Sequence, residues 1–181
     1  LEVGCGPYTQ TRAMMLRRNF SATQLVLLDP GLETYVRDTP SSVFRSGQLR
    51  DVRVDSTLLV NDDAEALRMM RGAFDVVVMI NVLEHVHNSI AVLRNVYNAL
   101  KPGGLLVFND RWWDREGAPG QARPLMSLDV LYHPVRIKRR LVDQFLSGFR
   151  PRHVVRDADS HAFTCCGRNY TGVYYIGTRR G

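Results

Sequence analysis

Residues 2–6 read Glu-Val-Gly-Cys-Gly, an acidic side chain followed by two glycines that bracket a cysteine. A turn of this kind between a strand and a helix aims backbone N–H groups and the positive end of the helix dipole at a ligand. Glycine at 4 and 6 lets the main chain come close, because a β-carbon would stand in the way. A dinucleotide-binding turn carries a third glycine at the end of G-x-G-x-x-G, to pack helix on strand and admit a pyrophosphate. That position is Thr9 here, and no Lys-Ser/Thr pair follows, which excludes a P-loop. Asp29 is the second chemical group. It closes the apolar run Leu25–Leu28, where open α/β sheets bind ligands, and a carboxylate there can accept two hydrogen bonds from vicinal ribose hydroxyls. Its alternative role is to open the Asp29-Pro30-Gly31 turn.

These residues need elements to hold them. Short β-rich apolar runs alternate with helical segments, the pattern of a parallel sheet covered by helices. Leu1-Glu2-Val3 reads as the end of a strand and 10–18 as a helix. Strands are expected at 25–28, 57–60, 74–80 and 105–108, with a short helix at 64–70. The run FDVVVMI (74–80) is apolar enough to be buried on both faces. Asn88 or Ser89 caps the clearest helix, in which Ile90, Leu93, Val96, Tyr97 and Leu100 recur at helical spacing. Lys101-Pro102-Gly103-Gly104 stops it. Residues 32–58 read as a helix and a variable stretch, and 111–132 as an irregular segment suited to a substrate lid. Pro134 is placed to start a helix with Ile137, Leu141, Phe145 and Phe149 on one face. Strands at 153–156 and 172–178 close the chain.

Taken in order, LEVGCG, Asp29 after LVLL, DAEAL at 63–67, FDVVVMINVLEHV and LKPGGLLVF resemble a class I S-adenosylmethionine-dependent methyltransferase, nearest the small-molecule and quinone-type group. The resemblance covers residues 1–110. It implies a doubly wound, mostly parallel seven-stranded α/β sheet, the Rossmann-like methyltransferase fold, with the last strand, GVYYIGT, antiparallel. It implies that Glu2, Gly4, Cys5 and Gly6 line the methionine part of S-adenosyl-L-methionine and that Asp29 holds the ribose with Pro30 next to the adenine. Asp63 would meet the adenine amino group beside Ala64, and Asn81 and Val82 would face cofactor and substrate. S-adenosyl-L-homocysteine is the product. The helices that precede the first strand in the family, and most of that strand, are missing before Leu1, so 1–181 is expected to be one N-terminally truncated methyltransferase domain.

Methyl transfer needs two reactants held in line, water kept out and, where the nucleophile carries a proton, a base. His85, just after the fourth strand, is the first candidate for that base, ahead of His133, Asp110 and His87. Its alternative role is to bond a backbone carbonyl in a helix turn. In quinone-type relatives a similar EHV segment with an upstream Glu binds a divalent ion. The matching upstream residue is Asn81, so no metal is expected. Trp112, Trp113 and His133 are candidate substrate contacts, the tryptophans either stacking on a planar or sugar-like acceptor or anchoring a lid. The acceptor is expected to be a small molecule methylated on oxygen. A nucleic-acid methyltransferase and a non-catalytic cofactor-binding module stand as alternatives. The first is disfavoured by NVLEH, where enzymes that methylate flipped bases at exocyclic amines carry Asn or Asp, two prolines and an aromatic.

Composition bounds these readings. The 181 residues suffice for one domain with a sizeable core. At 45% hydrophobic and 23% charged the chain is an ordinary globular one. The net charge of +6 and pI near 9.6 allow an anionic partner, or only a solvated basic surface. Its longest apolar run, 76–80, is far too short to span a bilayer. Three cysteines without a CxxC pair fit a reduced interior, and a cytoplasmic location is expected.

Overall fold

A computed structural model describes residues 1–112, 135–156, 164–165, 168–169 and 171–181. In chain order the strands are β1 (Glu2–Val3), β2 (Ala22–Leu28), β3 (Val54–Val60), β4 (Phe74–Ile80), β5 (Leu100–Trp112), β6 (Phe149–Arg156), β7 (Thr164–Cys165), β8 (Arg168–Asn169) and β9 (Thr171–Arg179). The helices are α1 (Gln10–Arg18), α2 (Leu32–Arg37), α3 (Ser89–Ala99) and α4 (Arg139–Leu146). Seven strands form one sheet in the order β3-β2-β1-β4-β5-β9-β6. The pairs from β3 to β5 are parallel, and β9 runs antiparallel to both β5 and β6. This is the doubly wound sheet with an antiparallel last strand that the sequence led us to expect. The small antiparallel pair β7–β8 was not expected.

Both faces of the sheet are apolar because successive side chains point to opposite sides. In β2, Val26 and Leu28 join Val77, Met79, Leu106 and Phe108 against Val92, Leu93 and Val96 of α3 and Val142 and Leu146 of α4. The alternate residues Leu25 and Leu27 pack with Cys5 and with Leu32 of α2. β1 contributes only two residues, yet it bonds on both sides: Glu2 and Val3 lie opposite Leu27 and Leu28 of β2 and Val78 and Met79 of β4.

Several boundaries move. β2 and β3 start three residues earlier than their apolar runs, because Ala22 and polar Gln24 still pair with Val54 and Ser56 of β3 at the sheet's exposed end. The short helix expected at 64–70 is a 3-10 helix over Ala64–Met69. α3 ends at Ala99, one residue short of the expected Leu100, and the chain does not turn away at Lys101–Gly104. It enters β5 directly, pairing Leu100 with Phe74 and then Leu105 with Val76, so the Pro-Gly-Gly segment is taken up as a register shift. α4 starts at Arg139, and Phe149 belongs to β6. The four-residue spacing continues past the helix because Phe149 returns to the same cluster, edge-on to Tyr97 at 5.4 Å and to Phe145 at 5.2 Å.

Phe149 is 1% exposed at the meeting point of α3, α4, β6 and β9. Phe149→Ala should therefore lower stability by roughly 3–5 kcal/mol. Urea unfolding measures this, and a loss under about 1 kcal/mol would show that the cluster collapses around the missing ring.

Candidate active site at the carboxyl ends of the strands

The direction of winding reverses at β1, with β2 and β3 on one side and β4 and β5 on the other. Ligands of open α/β sheets bind outside the carboxyl ends of the strands at such a point. A cleft of about 720 Å³ lies there. Gly4, Cys5 and Gly6 reach it from the turn after β1, Asp29 and Pro30 from the end of β2, Asp63 and Ala64 from the end of β3, and Asn81, Val82 and His85 from the loop after β4. Residues up to 83 positions apart in the sequence thus share one wall.

Glu2 is not on that wall. It is 1% exposed and lies beneath the turn. Its carboxylate accepts hydrogen bonds from the Thr9 hydroxyl (2.5 Å), the Gln10 N–H (2.7 Å) and the Thr11 N–H (3.1 Å). The first turn of α1 would otherwise have unsatisfied donors, so Glu2 fixes where the helix begins. Burial raises the Glu2 pKa, and the hydrogen bonds from Thr9, Gln10 and Thr11 oppose that rise. Thr9, at the third-glycine position, caps α1 by accepting the Arg12 N–H at 3.3 Å.

Gly4 has a φ of +65°, and a β-carbon on it would lie 2.6 Å from Cγ2 of Val82. The turn can approach the β4 loop only because that atom is missing. Asp29 closes the other side: its Oδ2 accepts the Gly6 N–H at 2.9 Å and its Oδ1 the Gly31 N–H at 2.8 Å. One carboxylate therefore ties two turns together, so both roles considered for Asp29 are compatible. A carboxylate offers about four acceptor sites, which leaves capacity for hydroxyls presented from the cleft. Cys5 is buried, and burial, with Asp29 and Glu2 nearby, pushes its thiol far above the ordinary range, so it serves as a small packing residue.

After β4, Asn81 takes a left-handed conformation (φ +57°), one that asparagine tolerates better than most residues. The next two N–H groups, of Val82 and Leu83, point at Oδ2 of Asp110 at 3.1 and 2.9 Å, and Oδ1 takes the Arg111 N–H at 2.9 Å. Burial raises the Asp110 pKa to about 7 against the pull of these donors. Asp110 holds the loop and does not line the cleft. Beside it, the Arg111 guanidinium makes a two-pronged pair with Glu84: Nε to Oε2 and a terminal nitrogen to Oε1. Glu84 is fully buried. His85 leans on this pair, its Nε2 3.5 Å from Glu84 Oε1 and 3.4 Å from the Asn81 side-chain amide.

Trp112 sits away from the cleft, which fits the anchoring alternative rather than stacking on an acceptor. It is 3% exposed at the end of β5, with the Arg139 and Arg156 guanidiniums 5.4 and 6.0 Å from its ring, and does not line the cleft. Its place is an anchor between β5, α4 and β6. Trp113 and His133 lie outside the described residues, as does all but the first two residues of the 111–132 segment. Among the described residues no group of three or more His, Cys, Asp or Glu side chains is gathered as for a metal. Several wall residues went unnoticed in the sequence, Glu65 and Tyr35 among them. Glu65 accepts the N–H groups of His87 and Asn88 at 3.0 and 2.9 Å, joining the β3 end to the β4 loop. The Tyr35 hydroxyl is pushed up to about 12 by its burial and by Asp29. Its position four residues after Gly31 was the available clue, since a β-carbon at 31 would lie 2.6 Å from the ring.

Fold and cleft together define an α/β protein built to hold a nucleoside-type ligand at the head of β1. Residues 1–154 match the methyltransferase domain family, and the chain belongs to it. A ubiquinone biosynthesis O-methyltransferase of Azotobacter vinelandii is 34% identical over 111 residues, which are 60% of this chain and 42% of that one. The chain spans less than half the length of the curated relatives it matches. In fold it is similar to an S-adenosylmethionine-dependent methyltransferase of Methanosarcina mazei (TM-score 0.68, 16% identity, 99% of this chain and 91% of that one). It is also similar to geranyl diphosphate C-methyltransferase of Streptomyces coelicolor, solved with Mg2+, geranyl diphosphate and S-adenosyl-L-homocysteine (TM-score 0.62, 17% identity, 98% and 70%). The fold is that of the class I S-adenosylmethionine-dependent methyltransferases.

Two outcomes follow from this geometry. Gly4→Ala should destabilise the chain by about 1–3 kcal/mol through backbone strain and displaced Val82; a variant that melts with the wild type would show that the turn yields freely. Asp110 binds more protons folded than unfolded between its ordinary pKa near 3.8 and about 7, so it removes stability as pH rises through that window. Melting temperatures measured from pH 4 to 8 should fall less steeply for Asp110→Asn than for wild type, and equal slopes would contradict the raised pKa.

Proposed function

We propose that the protein binds S-adenosylmethionine in the β1 cleft and transfers its methyl group to an oxygen of a small-molecule acceptor. The convergence of Asp29 with the glycine turn carries the first half of this reading, because it sets a carboxylate with spare acceptor sites 2.9 Å from a main chain that can approach a ligand closely. The fit is good elsewhere too: Asp63 and Ala64 line the same cleft, and its volume suits a ligand of nucleoside size. The O-methyltransferase of Azotobacter vinelandii supports oxygen as the acceptor atom.

When bound, the cofactor supplies an electrophilic methyl on a sulfonium. The chain's own work is to hold two reactants in line, which can provide about 7–11 kcal/mol of the barrier, and to accept the acceptor's proton. His85 is the base in this reading. It lines the cleft, it is 41% exposed at the side chain, and an imidazole nitrogen can accept a proton from a bound acceptor.

Calorimetry with S-adenosylmethionine tests the first half. Wild type should bind, and Asp29→Ala should bind about ten- to a hundredfold more weakly, as expected for loss of a charged hydrogen-bond acceptor. No binding by wild type, or equal binding by the variant, would sink the reading. A methyl-tritiated cofactor offered with phenols and hydroquinones, and separately with RNA, tests the second half. Label in RNA alone would favour the nucleic-acid alternative, and binding without transfer to either would favour a non-catalytic module.

A further inference from the structure

We infer that Glu84 and Arg111 act as positioning residues for His85: Arg111 fixes the Glu84 carboxylate, and that carboxylate selects the tautomer and orientation of the imidazole. The inference rests on the proposed role of His85 and assigns work to two residues that do not line the cleft.

The argument begins with burial. A carboxylate with no exposed surface needs a partner, and Glu84 has one in Arg111, itself 7% exposed at the side chain. The two-pronged contact uses one Arg nitrogen per carboxylate oxygen, so the carboxylate plane is set by the plane of the guanidinium. The guanidinium is in turn fixed by the backbone. Arg111 pairs with Gly172 in the β5–β9 ladder, and its N–H is held by Asp110. Oε1 therefore occupies a determined position, 3.5 Å from Nε2 of His85.

An ionised carboxylate only accepts hydrogen bonds, so it favours the imidazole with its proton on the facing nitrogen. The Asn81 side-chain nitrogen stands 3.4 Å from Nε2, and with the proton on Nε2 that amide is turned so that its oxygen accepts from the ring, an O/N assignment set by the hydrogen-bond network. With the proton on Nε2, the lone pair belongs to Nδ1, and that nitrogen takes the acceptor's proton. The product is an imidazolium beside an anion already in place, with Nε2–H still directed at Glu84. No group needs to rearrange as the charge develops.

The arrangement also changes what a Glu-His pair in this position can do. The two Glu84 oxygens that could face a cation already face a guanidinium, and the upstream position is the neutral Asn81. A side-chain cation supplied by β5 fills the electrostatic role at this corner.

Removing one partner alone leaves a buried charge and threatens folding, so the deciding variant removes both: Glu84→Leu with Arg111→Met, since buried pairs replaced by apolar groups of similar size commonly fold. The readouts are the melting temperature, S-adenosylmethionine affinity, kcat with an acceptor that wild type methylates, and the 15N shifts of the His85 ring. The double variant should fold and bind the cofactor within about twofold of wild type, with kcat reduced about ten- to a hundredfold, and its ring should shift from the Nε2–H form to a mixture. Unchanged kcat and 15N shifts in a folded double variant would overturn the inference. Should that variant fail to fold, Glu84→Gln decides by the same 15N shifts, since the amide can turn a donor to Nε2 where the carboxylate only accepts. Wild-type kcat in His85→Ala would instead overturn the role of His85 itself.

Discussion

Buried carboxylates that accept main-chain N–H groups are what turn this sheet into a site. Glu2 takes donors at the start of α1, Asp29 joins the turns at Gly6 and Gly31, and Asp110 holds the loop after β4. The loops at the carboxyl ends have no ladder partners to define their paths, and their amides must still be satisfied. An acidic side chain can satisfy two or three at once because it has several acceptor sites and no donor. The cost is desolvation, visible in the raised pKa of Glu2 and Asp110. The return is a cleft whose walls keep their shape before any ligand arrives.

Much of this was legible in the sequence because the relevant signals are local. The β4 run is apolar apart from exposed Asp75 and appears with the expected ends, and Asn88 caps α3 through its side chain. Wall residues from Gly4 to Val82 were recognisable because each follows a strand, and a doubly wound sheet gathers the ends of its strands. Glu2 was misplaced for an instructive reason: alternation along a two-residue strand does not say whether a side chain points to the ligand or under the turn. Trp112 looked like a loop residue because Pro and Gly follow it, but β5 extends through it, paired with Thr171. The Glu84–Arg111 pair had no sequence signature, since only adjacent strands bring residues 27 positions apart together.

The positive charge also takes on a local meaning. Ten of the 24 Lys and Arg residues fall within 135–181, against three of the 18 Asp and Glu. Several of these cations are engaged within the fold: Arg139 and Arg156 flank Trp112 and share Asp143, and Arg179 lies 4.4 Å from the Tyr97 ring. Guanidiniums over aromatic faces hold α4, β6 and β9 to the rest of the sheet, so part of the basic character belongs to packing.

The Arg111–Glu84 pair has a consequence for how such a sequence can drift. Losing either partner alone from a buried pair costs about 3–5 kcal/mol, a large part of the 5–15 kcal/mol that holds a typical domain together. Replacing both can be nearly neutral. The two codons are therefore separated from an uncharged alternative by an intermediate that folds poorly, and one mutation at a time does not cross that gap easily. Positions 84 and 111 should therefore change together across descendants of this gene or not at all.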